Sequence, residues 1–132
     1  MRWAMLWMGA MAMGVVASVH AWKDGVPEQR RSVANPFGSD AATLRAGAGV
    51  YAERCASCHG ASATGRGRRP SLRTERVQGA TDGELLWLLE NGELRYGMPS
   101  WSGLPEEQRW QVERYVKSLG VEAGVGTGVG AR

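Results

Sequence analysis

The sequence predicts an all-α fold with three main helices, and two observations support this expectation. Three segments carry either helically spaced apolar residues or a short apolar block, and helix-start and helix-stop residues flank them. No segment shows the alternation of apolar and polar residues that is typical of a half-buried strand. We therefore expect helices joined by loops within a single domain, as the length of 132 residues allows.

The first predicted helix covers residues 41–54, with Ser39 or Asp40 as its N-terminal cap. Its apolar and small residues share one face at the i, i+3, i+4, i+7 spacing: Leu44, Gly47, Ala48, Tyr51, Ala52 and Cys55. A glycine inside a helix costs up to about 1 kcal/mol relative to alanine. Gly47 on the buried face therefore indicates that another backbone crosses closely at this point.

The second and third helices follow two loop-like stretches. Thr81 to Glu84 match a capping box and precede the apolar block 85–89, and Asn91-Gly92 ends this helix. The last helix starts near Pro105, a favoured first helical position, and ends at Leu119. Its apolar stripe consists of Val112, Tyr115, Val116 and Leu119.

The N-terminal residues 1–21 resemble an export signal. A single charge, Arg2, precedes an apolar run, and small residues before the end favour cleavage after Ala21. The alternative is an uncleaved membrane anchor, because residues 3–22 are uncharged over just enough length to span a bilayer. Both alternatives place the remainder of the chain in an exported compartment, the periplasm.

The exported chain divides into three regions. Residues 22–38 contain turn-forming residues without an apolar period and are expected to be an extended lead-in. Residues 39–120 hold the predicted domain. Residues 121–132 form a glycine-rich tail that is expected to be flexible.

The composition excludes several classes of function. Lys and Arg number 16 against 13 Asp and Glu, and the resulting charge of +3 is too small to suggest nucleic-acid binding. Two cysteines exclude a scaffold of several disulfides and a zinc site made of four cysteines. The chemistry must therefore come from a small set of residues.

That set begins with the segment from Cys55 to His59. The pattern C-x-x-C-H is the attachment signature of c-type haem, since two thiols at this spacing can form thioethers with the two vinyl groups of one haem. The adjacent histidine then faces the iron as an axial ligand. One alternative is a disulfide, which would close a small, strained ring and stabilise little. The others are a thioredoxin-like redox pair and a zinc site, and neither has the sequence context that it needs.

Met98 is the candidate for the sixth iron ligand. Removal of residues 1–21 leaves it as the single methionine, and it lies in the turn-like segment Gly97-Met98-Pro99. The alternative is that Met98 fills space in the core, as methionine often does. Ligation by His59 and Met98 would occupy both axial positions and favour electron transfer over substrate chemistry.

With these motifs the chain resembles a class I monohaem cytochrome c over residues 44–119. The resemblance implies an all-α class I cytochrome c fold, with loops wrapped around one covalently attached haem. It also implies that Gly47 and Tyr51 cross the last helix at Val112 and Tyr115. Two further residues are implied at the haem: the Pro70 carbonyl accepts a hydrogen bond from His59, and Leu72 packs on the haem face.

The resemblance implies a periplasmic one-electron carrier rather than an enzyme. The expected partners are a dehydrogenase as donor and an oxidase or another cytochrome as acceptor, as for the bacterial haem-c domains of quinoprotein dehydrogenase and terminal-oxidase systems. One alternative is a permanent electron-transfer subunit of such a complex. Another is a haem enzyme or gas sensor, in which Met98 is not a stable ligand.

An arginine-rich loop leaves two interpretations open. Five arginines lie close together between the haem motif and the second helix: Arg66, Arg68, Arg69, Arg73 and Arg76. They are either solvated side chains or partners of a haem propionate or of an acidic redox protein.

Overall fold

The computed structural model describes residues 21–123, and this part of the chain is helical. In chain order its helices are α1 (Ala21–Asp24), α2 (Glu28–Arg31), α3 (Ala41–Arg54), α4 (Ala56–His59), α5 (Glu75–Gln78), α6 (Asp82–Asn91) and α7 (Glu106–Leu119), with a 3-10 turn at Leu94–Tyr96. Within residues 21–123 no strand forms, and the fold is all-α as predicted. The predicted signal or anchor and most of the glycine-rich tail lie outside the described residues.

Helix α3 has the predicted bounds. The Asp40 carboxylate caps it by accepting hydrogen bonds from the backbone N–H groups of Ala42 and Thr43, and these bonds lower the pKa of Asp40. The last turn continues through Cys55, whose N–H donates to the Tyr51 carbonyl. The haem motif therefore begins where α3 ends.

Helices α3 and α7 cross at Gly47. A Cβ atom at this position would lie 2.1 Å from the Gln111 carbonyl oxygen and 2.7 Å from the Tyr115 Cβ. The crossing was expected at Val112 and Tyr115; the atoms nearest Gly47 belong to Gln111 and Tyr115, and Val112 lies with Tyr51 in the buried core. Because glycine lets the α7 backbone itself approach, the nearest atom belongs to the residue before Val112. Tyr115 also packs against Tyr51, with ring centroids 5.5 Å apart.

The core lies around this crossing. Its buried members are Tyr51, Ala63, Val112 and Val116. Partly buried apolar residues from helices α3 to α7 and the segments between them surround this core: Val50, Cys55, Ala56, Leu72, Val77, Leu89, Tyr115 and Leu119. The start of the haem motif, at Cys55 and Ala56, thus packs in the same apolar cluster as α3 and α7.

Helix α6 begins with the predicted capping box. The Thr81 hydroxyl accepts from the Glu84 N–H, and the Glu84 carboxylate accepts from the Thr81 N–H. Helix α7 begins one residue later than expected, at Glu106. Pro105 is its N-terminal cap instead of its first residue, because its ψ of 142° is extended.

The lead-in is not extended, contrary to the expectation for residues 22–38. It contains α1 and α2, and three of its basic side chains bind carboxylates of α6. Arg30 pairs with Glu90, Arg31 pairs with Glu84, and the Lys23 Nζ lies 3.7 Å from the same Glu84 carboxylate. The turn-forming residues end the two short helices and do not prevent them. Because the residues that stabilise α1 and α2 lie more than 50 positions away in the sequence, no local pattern predicts these helices.

None of the helices within residues 21–123 has the length and apolar character needed to cross a membrane.

Candidate haem-binding site

The haem motif spans the junction between α3 and α4. Cys55 separates the two helices, Cys58 lies within α4, and His59 is the last residue of α4. The N–H groups of Cys58 and His59 both donate to the Cys55 carbonyl, at 3.2 and 2.9 Å. The two thiols are not joined in a disulfide, and both are half-buried at one cavity. This turn therefore presents two thiols and one imidazole to the same space.

Burial, and to a smaller extent the neighbouring Cys58, raise the pKa of the Cys55 thiol to about 11. A catalytic or redox-active cysteine needs the opposite, a lowered pKa that supplies thiolate near neutral pH. The environment of Cys55 therefore disfavours a thioredoxin-like dithiol, which was one alternative for this motif.

The orientation of His59 is set by Pro70. The His59 Nδ1 lies 2.8 Å from the Pro70 carbonyl oxygen, and because a carbonyl can only accept, Nδ1 carries the proton. The other ring nitrogen, Nε2, is then left as the available metal-binding atom. The contact that the resemblance implied is present. The intervening loop is fixed by the Gly65 N–H, which donates to the His59 carbonyl at 2.7 Å.

Met98 lies in a loop that is fastened to the end of α6. Its N–H and C=O groups both bond to the backbone of Glu93, at 3.1 and 2.9 Å. Gly97 precedes it with a φ of +82°, a conformation that glycine adopts without strain. The Trp101 N–H donates to the Leu89 carbonyl at 2.7 Å, which holds the far side of the loop.

Arg69 connects this loop to the loop that follows the haem motif. Its Nη1 donates to the carbonyl oxygens of Tyr96 and Gly97, at 3.3 and 3.5 Å. The Arg69 side chain therefore links the residue before Pro70 to Tyr96 and Gly97, the two residues before Met98. The sequence left open whether this arginine is merely solvated, and the structure gives it two backbone partners.

One cavity of about 580 Å³ brings all the predicted site residues together, namely Cys55, Cys58, His59, Pro70, Leu72 and Met98. Its size lies within the range of about 300–1,000 Å³ that is typical of ligand and cofactor sites. The other apolar lining residues come from α5, α6, α7 and the Met98 loop: Val77, Leu85, Leu88, Leu89, Pro99, Trp101, Val112 and Val116. Two thiols, an imidazole and a thioether in an apolar cavity are the donor set that a haem c requires, so the residues fit this group.

The cavity also includes Trp22 of the lead-in and Glu113 of α7, which the sequence did not indicate as site residues. Arg68 and Arg76, two of the five clustered arginines, line it as well. The apolar block 85–89 predicted a buried helix but did not identify the surface that this helix contacts. Glu113 gave no signal, because it lies within a charged stretch of an amphipathic helix.

The chain matches the family model described as "Cytochrome C oxidase, cbb3-type, subunit III" over residues 42–116. Two solved structures are similar at 24% identity over 64% of this chain. One is cytochrome CL from the marine methylotrophic bacterium Methylophaga aminisulfidivorans MPT, with a TM-score of 0.57. The other belongs to the reducing HAO-like protein complex of Kuenenia stuttgartiensis, with a TM-score of 0.55.

The matched regions span 60% and 47% of those two chains, so this protein is compared with only part of each. A comparison with curated proteins finds no match. The family model nevertheless covers more than half of the sequence, and the structural similarity supports the same fold. Cys55 and Cys58 have the spacing of the family's attachment motif. The chain therefore belongs to the class I c-type cytochromes, electron-transfer domains that carry covalently bound haem c.

Proposed function

We propose that this protein is a periplasmic one-electron carrier whose haem iron is held by His59 and Met98. The observation that carries the proposal is that these two side chains line one apolar cavity, His59 from the end of α4 and Met98 from a hydrogen-bonded loop after α6. A haem with both axial positions filled has no open site for a substrate, and electron transfer is the chemistry that remains.

The bound haem supplies a one-electron iron couple. The residues of the chain attach the haem, orient the iron ligands and exclude water. Cys55 and Cys58 would hold the haem by thioethers, so that an exported protein would not lose it. The Pro70 carbonyl fixes the His59 imidazole, which keeps the iron-facing nitrogen unprotonated. The backbone bridge between Glu93 and Met98 holds the thioether in place, and the leucines of α6 exclude water from the ring.

The rim of the cavity offers a contact for redox partners. Leu94 and Tyr96 are 77% and 66% exposed, although both are large apolar or aromatic residues. Tyr96 also lines the cavity, so a protein bound there would lie close to the haem. We propose a dehydrogenase as donor and an oxidase or another cytochrome as acceptor. Periplasmic location is part of the proposal and is supported by the signal-like residues 1–21.

A second candidate function is that of an electron-transfer subunit within a permanent complex. It is favoured by the description of the matching family as an oxidase subunit and by the structural neighbour that belongs to a protein complex. Purification under mild conditions from the native membrane and soluble fractions distinguishes the two. A carrier elutes alone, whereas a subunit elutes with an oxidase or dehydrogenase.

The ligation is tested by visible spectroscopy on the protein matured with haem c. We expect a low-spin c-type spectrum after reduction with dithionite, and we expect carbon monoxide to leave it unchanged. Met98→Ala opens the sixth position, so its reduced spectrum should shift with carbon monoxide. A wild-type spectrum that shifts would contradict Met98 ligation and favour a haem enzyme or gas sensor. Absence of any haem spectrum would contradict the proposed function altogether.

A further inference from the structure

Glu113 is a buried acidic residue that lines the haem cavity. It lies on α7, its exposed fraction is 2%, and it lines the same cavity as the two proposed iron ligands. No part of the proposed function uses it. A carboxyl group is seldom retained in such a place without a partner, since burying its charged form is costly.

The hydrogen bonds of Glu113 are incomplete. Its Oε2 accepts from the Asn35 side-chain amide, which also donates to the Trp110 carbonyl at 2.9 Å. Its Oε1 is buried and has no hydrogen-bond partner within residues 21–123. Burial raises the pKa of Glu113 to about 7, and the bond from Asn35 opposes this effect. Near neutral pH the residue is therefore poised between its neutral and charged forms.

Two charged residues act on Glu113 from beside it. Asp82, the first residue of α6, raises the pKa of Glu113 because its negative charge is close. Arg114, the next residue on α7, lowers it, and the Arg114 guanidinium lies 3.5 Å from the Asp82 carboxylate. Further along α7, Lys117 is bound to the Gln78 and Ala80 carbonyls. On α3, the Tyr51 hydroxyl donates to the Gly60 carbonyl.

The remaining charged or titratable groups around the cavity belong to its rim and to the haem motif: Arg54, Cys55, Cys58, His59, Arg68, Arg69, Arg76, Glu93 and Tyr96. Among the carboxyl groups that line the cavity, Glu113 is the buried one and Glu93 is half-buried. Of the two acidic residues that line the cavity, Glu113 is therefore the better shielded from water. Shielding strengthens its interaction with a charge inside the cavity.

We propose that Glu113 binds a proton when the haem is reduced and releases it when the haem is oxidised, so that the protein carries a proton together with its electron. The inference rests on the proposed function, since it needs a one-electron couple in the cavity. On reduction, one electron passes from the donor protein to the iron and one proton passes from solvent to the Glu113 carboxylate. On oxidation, the electron leaves to the acceptor and the proton returns to solvent.

The physical reason is the change in charge of the haem. Reduction removes one positive charge from the cavity, and a nearby carboxylate loses the attraction that favoured its charged form. Glu113 then holds its proton more tightly in the reduced protein than in the oxidised one. By linkage, the reduction potential is constant at pH values below the pKa of Glu113 in the oxidised protein. It falls as pH rises from that pKa to the higher pKa of Glu113 in the reduced protein, and above both it is constant again.

The test is a spectroelectrochemical titration of the haem-loaded protein on both sides of neutral pH. We expect the wild-type potential to fall with rising pH, with a limiting slope of about 59 mV for each tenfold change in proton concentration. Glu113→Gln should lose this dependence. The matched control is Glu107→Gln, an exposed residue of the same helix, which should titrate like the wild type.

A second variant and a second measurement keep the test valid if Glu113→Gln does not fold. Asp82→Asn removes the neighbouring negative charge, so the fall in potential should move to lower pH. The infrared difference spectrum between reduced and oxidised wild-type protein should show a protonated carboxyl band that appears on reduction.

Two results would overturn the inference while leaving the proposed function intact. One is a reversible one-electron couple whose potential does not change with pH. The other is a pH dependence that Glu113→Gln and Asp82→Asn leave unaltered, which would assign the proton to a haem propionate or another group. A protein with no reversible one-electron couple would instead contradict the proposed function itself.

Discussion

Arg69 joins the loop that carries Met98 to the loop that orients His59 through Pro70. Its guanidinium binds the carbonyls that precede Met98, while its backbone precedes the proline that orients His59. Bonds of 3.3 and 3.5 Å on an exposed side chain are long, so their contribution is at the low end of about 0.5–1.5 kcal/mol each. These two hydrogen bonds limit the motion of the Met98 loop, but the loop does not need them in order to form.

We therefore expect Arg69→Ala to loosen the Met98 loop without unfolding the protein. Weaker restraint raises the fraction of molecules in which Met98 leaves the iron, so carbon monoxide binding to the reduced protein should increase by about threefold to tenfold. The measurement is a titration with carbon monoxide followed in the visible spectrum. Arg95→Ala, an exposed arginine of the 3-10 turn, is the control. Equal binding by both variants would contradict the role of Arg69.

The haem motif and the arginines differ in how well their roles can be predicted from the sequence. The motif from Cys55 to His59 is local, and its chemistry was predictable because all of its atoms lie within five residues. The partners of Arg69 and Arg73 lie 27 and 46 residues away, at Tyr96 and Leu119. No spacing in the sequence links such pairs, so these side chains could equally have been solvated.

At the scale of helices, the crossing of α3 and α7 gives the sharpest prediction. Gly47 faces the α7 backbone, whereas Gly49, two residues further along the same helix, has nothing within 4 Å of an added Cβ. Gly47→Ala should lower the free energy of unfolding by about 1–3 kcal/mol, because the helices must separate. Gly49→Ala should raise it by up to about 1 kcal/mol through helix propensity.

Chemical unfolding of both haem-loaded variants, followed by circular dichroism, measures these two changes. The pair is matched, since the substitution and the helix are the same and only the neighbouring backbone differs. Equal effects of the two substitutions would contradict a close crossing at Gly47. A midpoint of Gly49→Ala below that of the wild type would contradict the open surroundings of that position.

The three main helices were predictable because each has local signals at its ends. Asp40, the Thr81 capping box and the glycine after each of α6 and α7 all act within one helical turn. The short helices of the lead-in lack such signals, and tertiary ion pairs to Glu84 and Glu90 hold them in place. Four-residue helices are unstable alone, so their presence depends on the molecule that surrounds them.

At the scale of the whole molecule, the cavity and the core are not separate. Leu72, Leu89, Val112 and Val116 belong to the apolar cluster at the helix crossing and also line the cavity. A haem in the cavity therefore completes the core that the chain supplies only in part. This view could be reached from the sequence only in outline, through the small size of the domain and its attachment motif.

An enclosed void as large as this cavity would cost about as much free energy as the whole fold is stable by. At about 24 cal/mol per Å³ of cavity volume, 580 Å³ corresponds to about 14 kcal/mol. Folded domains of this size are stable by only about 5–15 kcal/mol in total. The chain without haem has to collapse into the cavity or unfold, and either outcome breaks the packing of α3 against α7.

We therefore expect the double variant Cys55→Ala with Cys58→Ala, which cannot attach haem, to lack a native-like cooperative thermal transition. Far-ultraviolet circular dichroism over a temperature ramp measures this, with the haem-loaded wild type as the reference. Retention of part of the helical signal with a broad, non-cooperative change would fit a collapsed chain. A sharp transition near that of the wild type would contradict the prediction, because it would require that the chain fill 580 Å³ of its own core without the cofactor.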